Sequence, residues 1–248
     1  VGAPRWDGGF VAEGSAWVYL GNADGLNSSP HFYRKSGLAY AEFGKSVGTA
    51  GDVNGDGYSD VIIGAPSWSN PQINEGAAFV YPGSPSGLNQ SAPPLWSKAS
   101  DQAGADFSTS VGTAGDVNGD GYGDIIIGAP SWESGSQTLG GVWLYYGSDS
   151  GPHSAPDWYK VGDQEDALYG FAVSTAGDVN RDGYSDVIIG APYWEDDVVS
   201  EGRVWLHLGS RVGLHSESSW HAEANNFNAQ MGYSVDTAGD VDGDGFAD

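Results

Sequence analysis

Nine residues of this chain recur four times at nearly constant spacing, and no other feature limits its fold so strongly. The copies are Asp52-Val-Asn-Gly-Asp-Gly-Tyr-Ser-Asp60, Asp116-Val-Asn-Gly-Asp-Gly-Tyr-Gly-Asp124, Asp178-Val-Asn-Arg-Asp-Gly-Tyr-Ser-Asp186 and Asp240-Val-Asp-Gly-Asp-Gly-Phe-Ala-Asp248. Their first residues lie 64, 62 and 62 positions apart. A fixed period of this size means that one supersecondary unit is repeated, so neighbouring units must bury each other's apolar faces. Within each copy, Asp or Asn stands at positions one, three, five and nine, with Gly at the sixth. Alternating oxygen ligands around a glycine turn describe a loop wrapped on a hard cation, for which calcium is the natural choice.

Other landmarks keep the same step. Gly-Ala-Pro occurs at 2–4, 64–66, 128–130 and 190–192; apolar runs end at Gly21, Gly83, Gly147 and Gly209. An aromatic stands 20 residues before each loop: Phe32, Trp96, Trp158 and Trp220. The two additional residues of the longer interval fall between Leu88 and Trp96, in a loop, where insertion costs little. Each unit reads as four short strands. In the first full unit these are Ser46–Ala50, then Asp60–Gly64 after the acidic loop, then Ala77–Tyr81, then an outer strand around Trp96. The Val-Ile-Ile run at 61–63 has the continuous apolar character of a strand buried on both faces. No 3.6-residue periodicity supports a helical solenoid. Four antiparallel strands per unit predict an all-β protein, a β-propeller of four-stranded blades with about 62 residues per repeat.

These units resemble the FG-GAP repeats of integrin α-subunit propellers and of bacterial secreted proteins. Phe43-Gly44 opens the unit, Gly64-Ala65-Pro66 closes its second strand, and the acidic loop lies between them. The resemblance extends over essentially the whole chain and departs at the opening pair, which becomes Phe107-Ser108, Tyr169-Gly170 and Met231-Gly232. The expected organisation is a single propeller domain or part of one: a partial blade at 1–36, full repeats near 37–100, 101–162 and 163–224, and a partial blade at 225–248. Two readings stay open. Ser234–Ala238 supplies the first strand of the N-terminal blade and closes a four-bladed ring, or the chain is a window on a longer propeller, as the seven-bladed integrin members imply. A ring not closed by one chain would leave edges for self-association. The initial Val implies a trimmed chain or part of a longer one.

The ligand assignment follows position by position. Asp52, Asn54, Asp56 and Asp60 offer side-chain oxygens and Tyr58 its carbonyl. The equivalents are Asp116, Asn118, Asp120, Tyr122 and Asp124, then Asp178, Asn180, Asp182, Tyr184 and Asp186. The last set is Asp240, Asp242, Asp244, Phe246 and Asp248, where a fourth carboxylate strengthens the site and its position at the chain end weakens it. An EF-hand shares the start of this pattern but needs Glu at position twelve, where the first copy has Ile63. A metal-free acidic turn would also use Asp, Asn and Gly, but it gives no reason for four copies with the same spacing. Up to four Ca²⁺ are expected. Carboxylate repulsion destabilises the empty loops, so binding should couple to folding, and the equivalence of the sites argues for a structural rather than catalytic role.

The formal charge of −24, with only 9 Lys and Arg, excludes a nucleic-acid partner and an anionic membrane surface. Thirteen of the 33 acidic residues lie in the loops, so four calcium ions would bring −24 to −16. With no cysteine, no disulfide staples the fold, and metal takes that part. No transmembrane run is present, so membrane insertion is not expected. Gly (40 residues) and aromatics (12%, including 10 Trp) suit short strands and tight turns.

Two positions after each Gly-Ala-Pro stands a Trp: Trp6, Trp68, Trp132 and Trp194. The resemblance puts these on the face opposite the calcium loops, where integrin-like propellers bind partners. They either stack on a sugar or protein ligand or wedge between blades. Five scattered His show no metal spacing, and no nucleophile elbow, phosphate loop or zinc signature occurs. A glycosidase-like carboxylate pair would need residues the calcium loops already use. The expected function is a calcium-binding, non-catalytic, secreted or surface-exposed interaction or adhesion module with an extracellular protein or glycan partner. The alternatives are a lectin-like propeller using the Trp residues and an accessory domain of a larger secreted enzyme.

Overall fold

The computed structural model describes residues 1–248. It is all-β, and no helix is long and apolar enough to cross a membrane. Three repeats each form a four-stranded antiparallel sheet in simple sequence order. The first comprises Val47–Gly51, Asp60–Ala65, Ala77–Tyr81 and Trp96–Ala99. The second comprises Ser110–Gly115, Asp124–Ala129, Gly141–Tyr145 and Trp158–Val161. The third comprises Ala172–Gly177, Asp186–Ala191, Arg203–His207 and Trp220–Glu223. Before them, Gly2–Ala3, Ser15–Val18 and Phe32–Lys35 make a three-stranded sheet. The strands expected of the first full unit are found within a residue or two of their bounds, whereas Ser234–Ala238, expected as a first strand, forms none.

The core lies between sheets rather than inside one. Ile62, Ala78, Val80 and Trp96 of one sheet meet Ile125, Ile127, Trp143 and Tyr145 of the next in a single buried cluster. On the other face of that second sheet, Ile126, Val142, Leu144 and Trp158 meet Val187, Ile189 and Trp205 of the third. Alternate residues of the run Ile125-Ile126-Ile127 therefore serve opposite interfaces. That explains an apolar run with no polar alternation. The first strands are adjacent to one another, and Val47–Thr49, Val111–Thr113, Val173–Thr175 and Val235–Thr237 line a shared cavity of about 380 Å³. Ser234–Ala238 lies beside the preceding first strand, where the Ser174 hydroxyl donates to Asp236 Oδ1 at 2.8 Å and Thr237 to the Ala176 carbonyl at 3.4 Å. No ladder joins it to Gly2–Ala3.

The recurrent Gly-Ala-Pro has a packing cause. A Cβ on Gly2, Gly128 or Gly190 would lie 1.9, 1.9 or 2.1 Å from the carbonyl oxygen of Gly44, Gly170 or Gly232, and one on Gly64 would lie 2.4 Å from that of Ser108. The second residue of each opening pair thus passes directly over the second strand of the preceding sheet. It does so at positive φ, which glycine adopts freely. Ser108 breaks the rule at φ 73°, yet its hydroxyl donates to the Ala77 carbonyl at 2.7 Å and accepts from Ala65 N–H at 3.0 Å. The departure in the motif is compensated by two hydrogen bonds across the interface.

Outer-strand aromatics complete the interfaces. Phe32 packs on Tyr81, Trp96 on Tyr145 and Trp158 on His207, all edge-to-face at 4.9–5.3 Å. Trp96 Nε1–H donates to the His153 carbonyl at 3.0 Å, but in the next interface His207 Nδ1–H takes the corresponding His215 carbonyl at 2.9 Å. Trp158 Nε1 and His207 Nε2 are left buried and unpartnered. Burial holds the His207 imidazole down to about 4, with Lys160 and His215 also disfavouring the cation and Glu217 and the His215 carbonyl favouring it.

Two predictions follow from these contacts. Gly128→Ala should cost on the order of 3 kcal/mol in urea denaturation, because backbone must move. Gly112→Ala, with nothing within 4 Å of its would-be Cβ and no positive φ, should change stability by less than about 1 kcal/mol. Because folding depresses the His207 pKa, its neutral form is preferred in the native state. Stability should therefore fall as pH drops from about 6.5 towards 4, by up to about 1.4 kcal/mol per pH unit. His207→Tyr, which restores the residue type of Tyr81 and Tyr145, should remove that increment when wild type and variant are compared by denaturation across this range.

Candidate metal centres

The first three acidic loops leave their first strands through a bulge at Thr-x-Gly. Gly51, Gly115 and Gly177 each donate a backbone N–H to the threonine two residues before, at 3.0–3.1 Å, and Gly239 does so in the fourth copy. The loop then curls around its first aspartate. Asp52 accepts from the N–H groups of Asp56 and Gly57 at 3.0 and 2.8 Å, and Asp116, Asp178 and Asp240 accept from the same positions at 2.8–3.1 Å. The position-five carboxylates Asp56, Asp120, Asp182 and Asp244 each accept from the residue two ahead at 3.0 Å. Position three, Asn54, Asn118, Asn180 or Asp242, accepts from the position-five N–H at 2.9–3.1 Å. Positions one, three and five are thereby turned to one side in every copy. In the last, carboxylate oxygens of Asp240, Asp242 and Asp244 all lie within 4.8 Å of one another, a spacing suited to a shared cation.

Position nine is placed differently. Asp60, Asp124 and Asp186 are fully buried, and both oxygens of each accept backbone N–H groups. Asp60 takes Val53 at 3.0 Å and Gly83 at 2.8 Å. Asp124 takes Val117 and Gly147, and Asp186 takes Val179 and Gly209, all at 2.8–3.0 Å. The carboxylate ties the acidic loop to the chain leaving the third strand. Spacing suggested only a ligand at this position, and the terminal Gly of each apolar run was its unread signal. Burial, reinforced by the neighbouring loop carboxylates, raises Asp60 and Asp186 and pushes Asp124 up to about 7; the two backbone N–H groups oppose the rise. A cation at the loop would supply the charge this arrangement lacks. Asp248 is exposed, and its carboxylate accepts only from Val241.

The residues present fit calcium: oxygen donors alone, several of them anionic, gathered on a preformed turn. Asp52, Asn54 and Asp56 and their counterparts would hold the ion by side chains, with Tyr58, Tyr122, Tyr184 and Phe246 contributing carbonyls and the position-nine carboxylates their remaining lone pairs. When bound, the ion supplies charge neutralisation and cross-linking of the loop.

The four tryptophans sit at the other end of the sheets, at the base of the connection between second and third strands. Trp6, Trp68, Trp132 and Trp194 each donate a backbone N–H to the Ala of Gly-Ala-Pro at 3.1–3.2 Å, and each carbonyl accepts from the Gly that opens the third strand at 3.0–3.1 Å. Their rings pack on third-strand aromatics of their own sheet: Trp6 on Trp17, Trp68 on Phe79, Trp132 on Trp143 and Trp194 on Trp205. Trp194 is buried and the other three are half-buried. Sequence reading overlooked the glutamate before that Gly. Glu13, Glu75 and Glu201 are buried. Glu75 and Glu201 accept from Asn70 and Asp196 N–H at 2.7 and 3.0 Å, and Glu13 pairs with Lys35 at 3.3 Å. The Glu-Gly pair in three of four copies was the available signal. Where Leu139 replaces it, the connection instead forms the hairpin Glu133–Ser134/Gln137–Thr138.

The segments 43–81, 107–145 and 169–207 match the FG-GAP repeat, each running from the opening aromatic to the end of the third strand. The chain carries three FG-GAP repeats. It is similar to integrin alpha-IIb of Homo sapiens, 32% identical over 215 residues that cover 83% of this chain and 19% of that protein. Integrin alpha-5 of Xenopus laevis is 30% identical over 86% of the chain and 20% of its own length, and integrin alpha-PS2 of Drosophila melanogaster 37% over 63% and 12%. The chain thus spans a fifth or less of the length of these relatives.

Asp124→Asn separates the two parts played by position nine. The amide would present an N–H₂ to a backbone N–H and should cost about 1–3 kcal/mol. Chemical denaturation should show that loss in EGTA as well as in calcium, whereas a residue acting only as a ligand would show it in calcium alone.

Proposed function

We propose that this chain is a calcium-stabilised β-propeller, or a segment of one, acting as a non-catalytic, extracellular protein-binding module. The observation that carries the reading is the segregation of two kinds of loop to opposite ends of the same sheets. At one end are the acidic loops. At the other are the variable connections beyond Trp6, Trp68, Trp132 and Trp194, which expose Phe10, Val11, Ile73 and Val199. Exposed apolar side chains among carboxylates suit a protein partner. The packed indoles offer little ring face to a sugar, so the protein reading is preferred to the glycan one. The similarity to integrin alpha subunits supports the same choice, and the shared cavity lined by successive first strands supports the propeller arrangement.

Calcium would act as the structural staple. With a Kd near ~10⁻⁴ M, each site contributes about 1.4 kcal/mol at ~10⁻³ M calcium, so four filled sites contribute about 6 kcal/mol. Adding ~1 mM CaCl₂ to calcium-stripped protein should raise Tm by about 10–20 °C, with magnesium far less effective. A shift below about 3 °C would refute the staple. The partner surface is tested by probing arrays of extracellular proteins and of glycans in calcium. Protein signals lost in the combined Phe10→Ser, Ile73→Ser, Val199→Ser variant support the reading; glycan signals unaffected by it would overturn it.

A further inference from the structure

The acidic loops touch one another in a repeated way. The carbonyl of ligand position one in each loop accepts from the N–H at position eight of the next. Gly123 donates to Asp52 at 2.8 Å, Ser185 to Asp116 at 2.9 Å and Ala247 to Asp178 at 3.0 Å. Position eight stands between the ligand carbonyl of position seven and the carboxylate of position nine. A second strand of contacts runs alongside: the Val53 and Val117 carbonyls accept from Ser148 and Ser210, both at 3.0 Å. Position four also meets the position-seven aromatic of the following loop. A Cβ on Gly55 would lie 2.7 Å from the Tyr122 ring, and one on Gly119 would lie 2.6 Å from that of Tyr184. In the third contact Arg181 replaces glycine, with its guanidinium 5.8 Å from the Phe246 ring centre and Nη1–H donating to the Asp244 carbonyl at 3.3 Å.

We propose that the four loops form one coupled calcium-binding array, in which filling one loop orders its neighbours and raises their affinity. The inference rests on the reading that the loops bind calcium. An ion held by Asp116 immobilises the carbonyl that anchors Ser185, and so the segment carrying two ligands of the third loop. It also immobilises position seven of its own loop, whose ring covers Gly55 of the first. A neighbour already ordered loses less conformational freedom when its own ion binds. Charge acts the other way, since a filled loop is less negative and attracts the next ion less. That opposing effect decays over ~8 Å at physiological ionic strength, whereas direct hydrogen bonds and ring contacts do not depend on salt in this way. Ordering therefore dominates in 0.15 M salt and above.

The N–H groups of Gly57, Gly121, Gly183 and Gly245 donate to the first aspartate of their loops and report each site separately. Their ¹⁵N–¹H signals would be followed through a CaCl₂ titration of the full chain in 0.15 M NaCl. Asp116→Ala with Asp120→Ala empties the second loop; near-UV circular dichroism at saturating calcium checks its fold, and Asp116→Asn serves if it does not fold. The midpoints at Gly57 and Gly183 should rise about fivefold or more, and Gly245, one loop further away, should move less. Unchanged midpoints at Gly57 and Gly183 overturn the coupling while leaving calcium binding intact. No saturable shift at any glycine of the wild type overturns the calcium reading and the coupling with it.

Discussion

The close passage of the opening pair over the preceding Gly-Ala-Pro glycine sets the distance between successive sheets, and the remaining contacts depend on that distance. With no side chain at Gly128, the third repeat's opening pair comes near enough for Ile126 to fill the interface between the second and third sheets, and Gly64 does the same for Ile125 and Ile127 at the interface with the first. A methyl group on Gly128 would push the second and third sheets apart and open the apolar layer between them. Ser108 shows the constraint from the other side, since the one non-glycine in that series is accommodated by hydrogen bonds to both strands it crosses.

Within this frame the acidic loops are built twice over. Position nine is a fold element, a buried carboxylate satisfied by two backbone N–H groups, and positions one, three and five are arranged by the turn it anchors. The arrangement concentrates negative charge on a surface with few cations nearby; the raised pKa of Asp124 comes first from its burial, and the loop carboxylates Asp120 and Asp116 add to it. A divalent ion would relieve this charge. Because the chain has no disulfide, an ion held in a loop would place the stability of that hairpin under the control of the ion concentration around it.

Much of this was legible in the residues. The period of the acidic loop, the Gly-Ala-Pro triplet and the apolar second strand predicted the sheets, their order and nearly their bounds, because each is a local requirement: a turn, a close approach, a two-sided burial. The clamp between Asp60 and Gly83 was not legible, since the partners are 23 residues apart and each has an ordinary local reading as ligand and turn. The buried Glu13, Glu75 and Glu201 were missed because a glutamate next to glycine reads as a solvated loop. Only the packing of the connection over it reveals its burial. The tryptophans posed the opposite problem: a regular row of indoles is compatible with a binding face or with packing, and their positions on Trp17, Phe79, Trp143 and Trp205 favour packing.

The amino-acid order by itself determined the repeat, the strand content and the chemistry of the loops, because those follow from period, side-chain size and ligand spacing. Tertiary structure decided which sheet covers which, why His207 takes the carbonyl that Trp158 would otherwise use, and that successive loops share backbone hydrogen bonds. Such features depend on groups about sixty residues apart meeting across an interface. No local pattern encodes the distance or direction of that meeting; it arises only when neighbouring sheets pack.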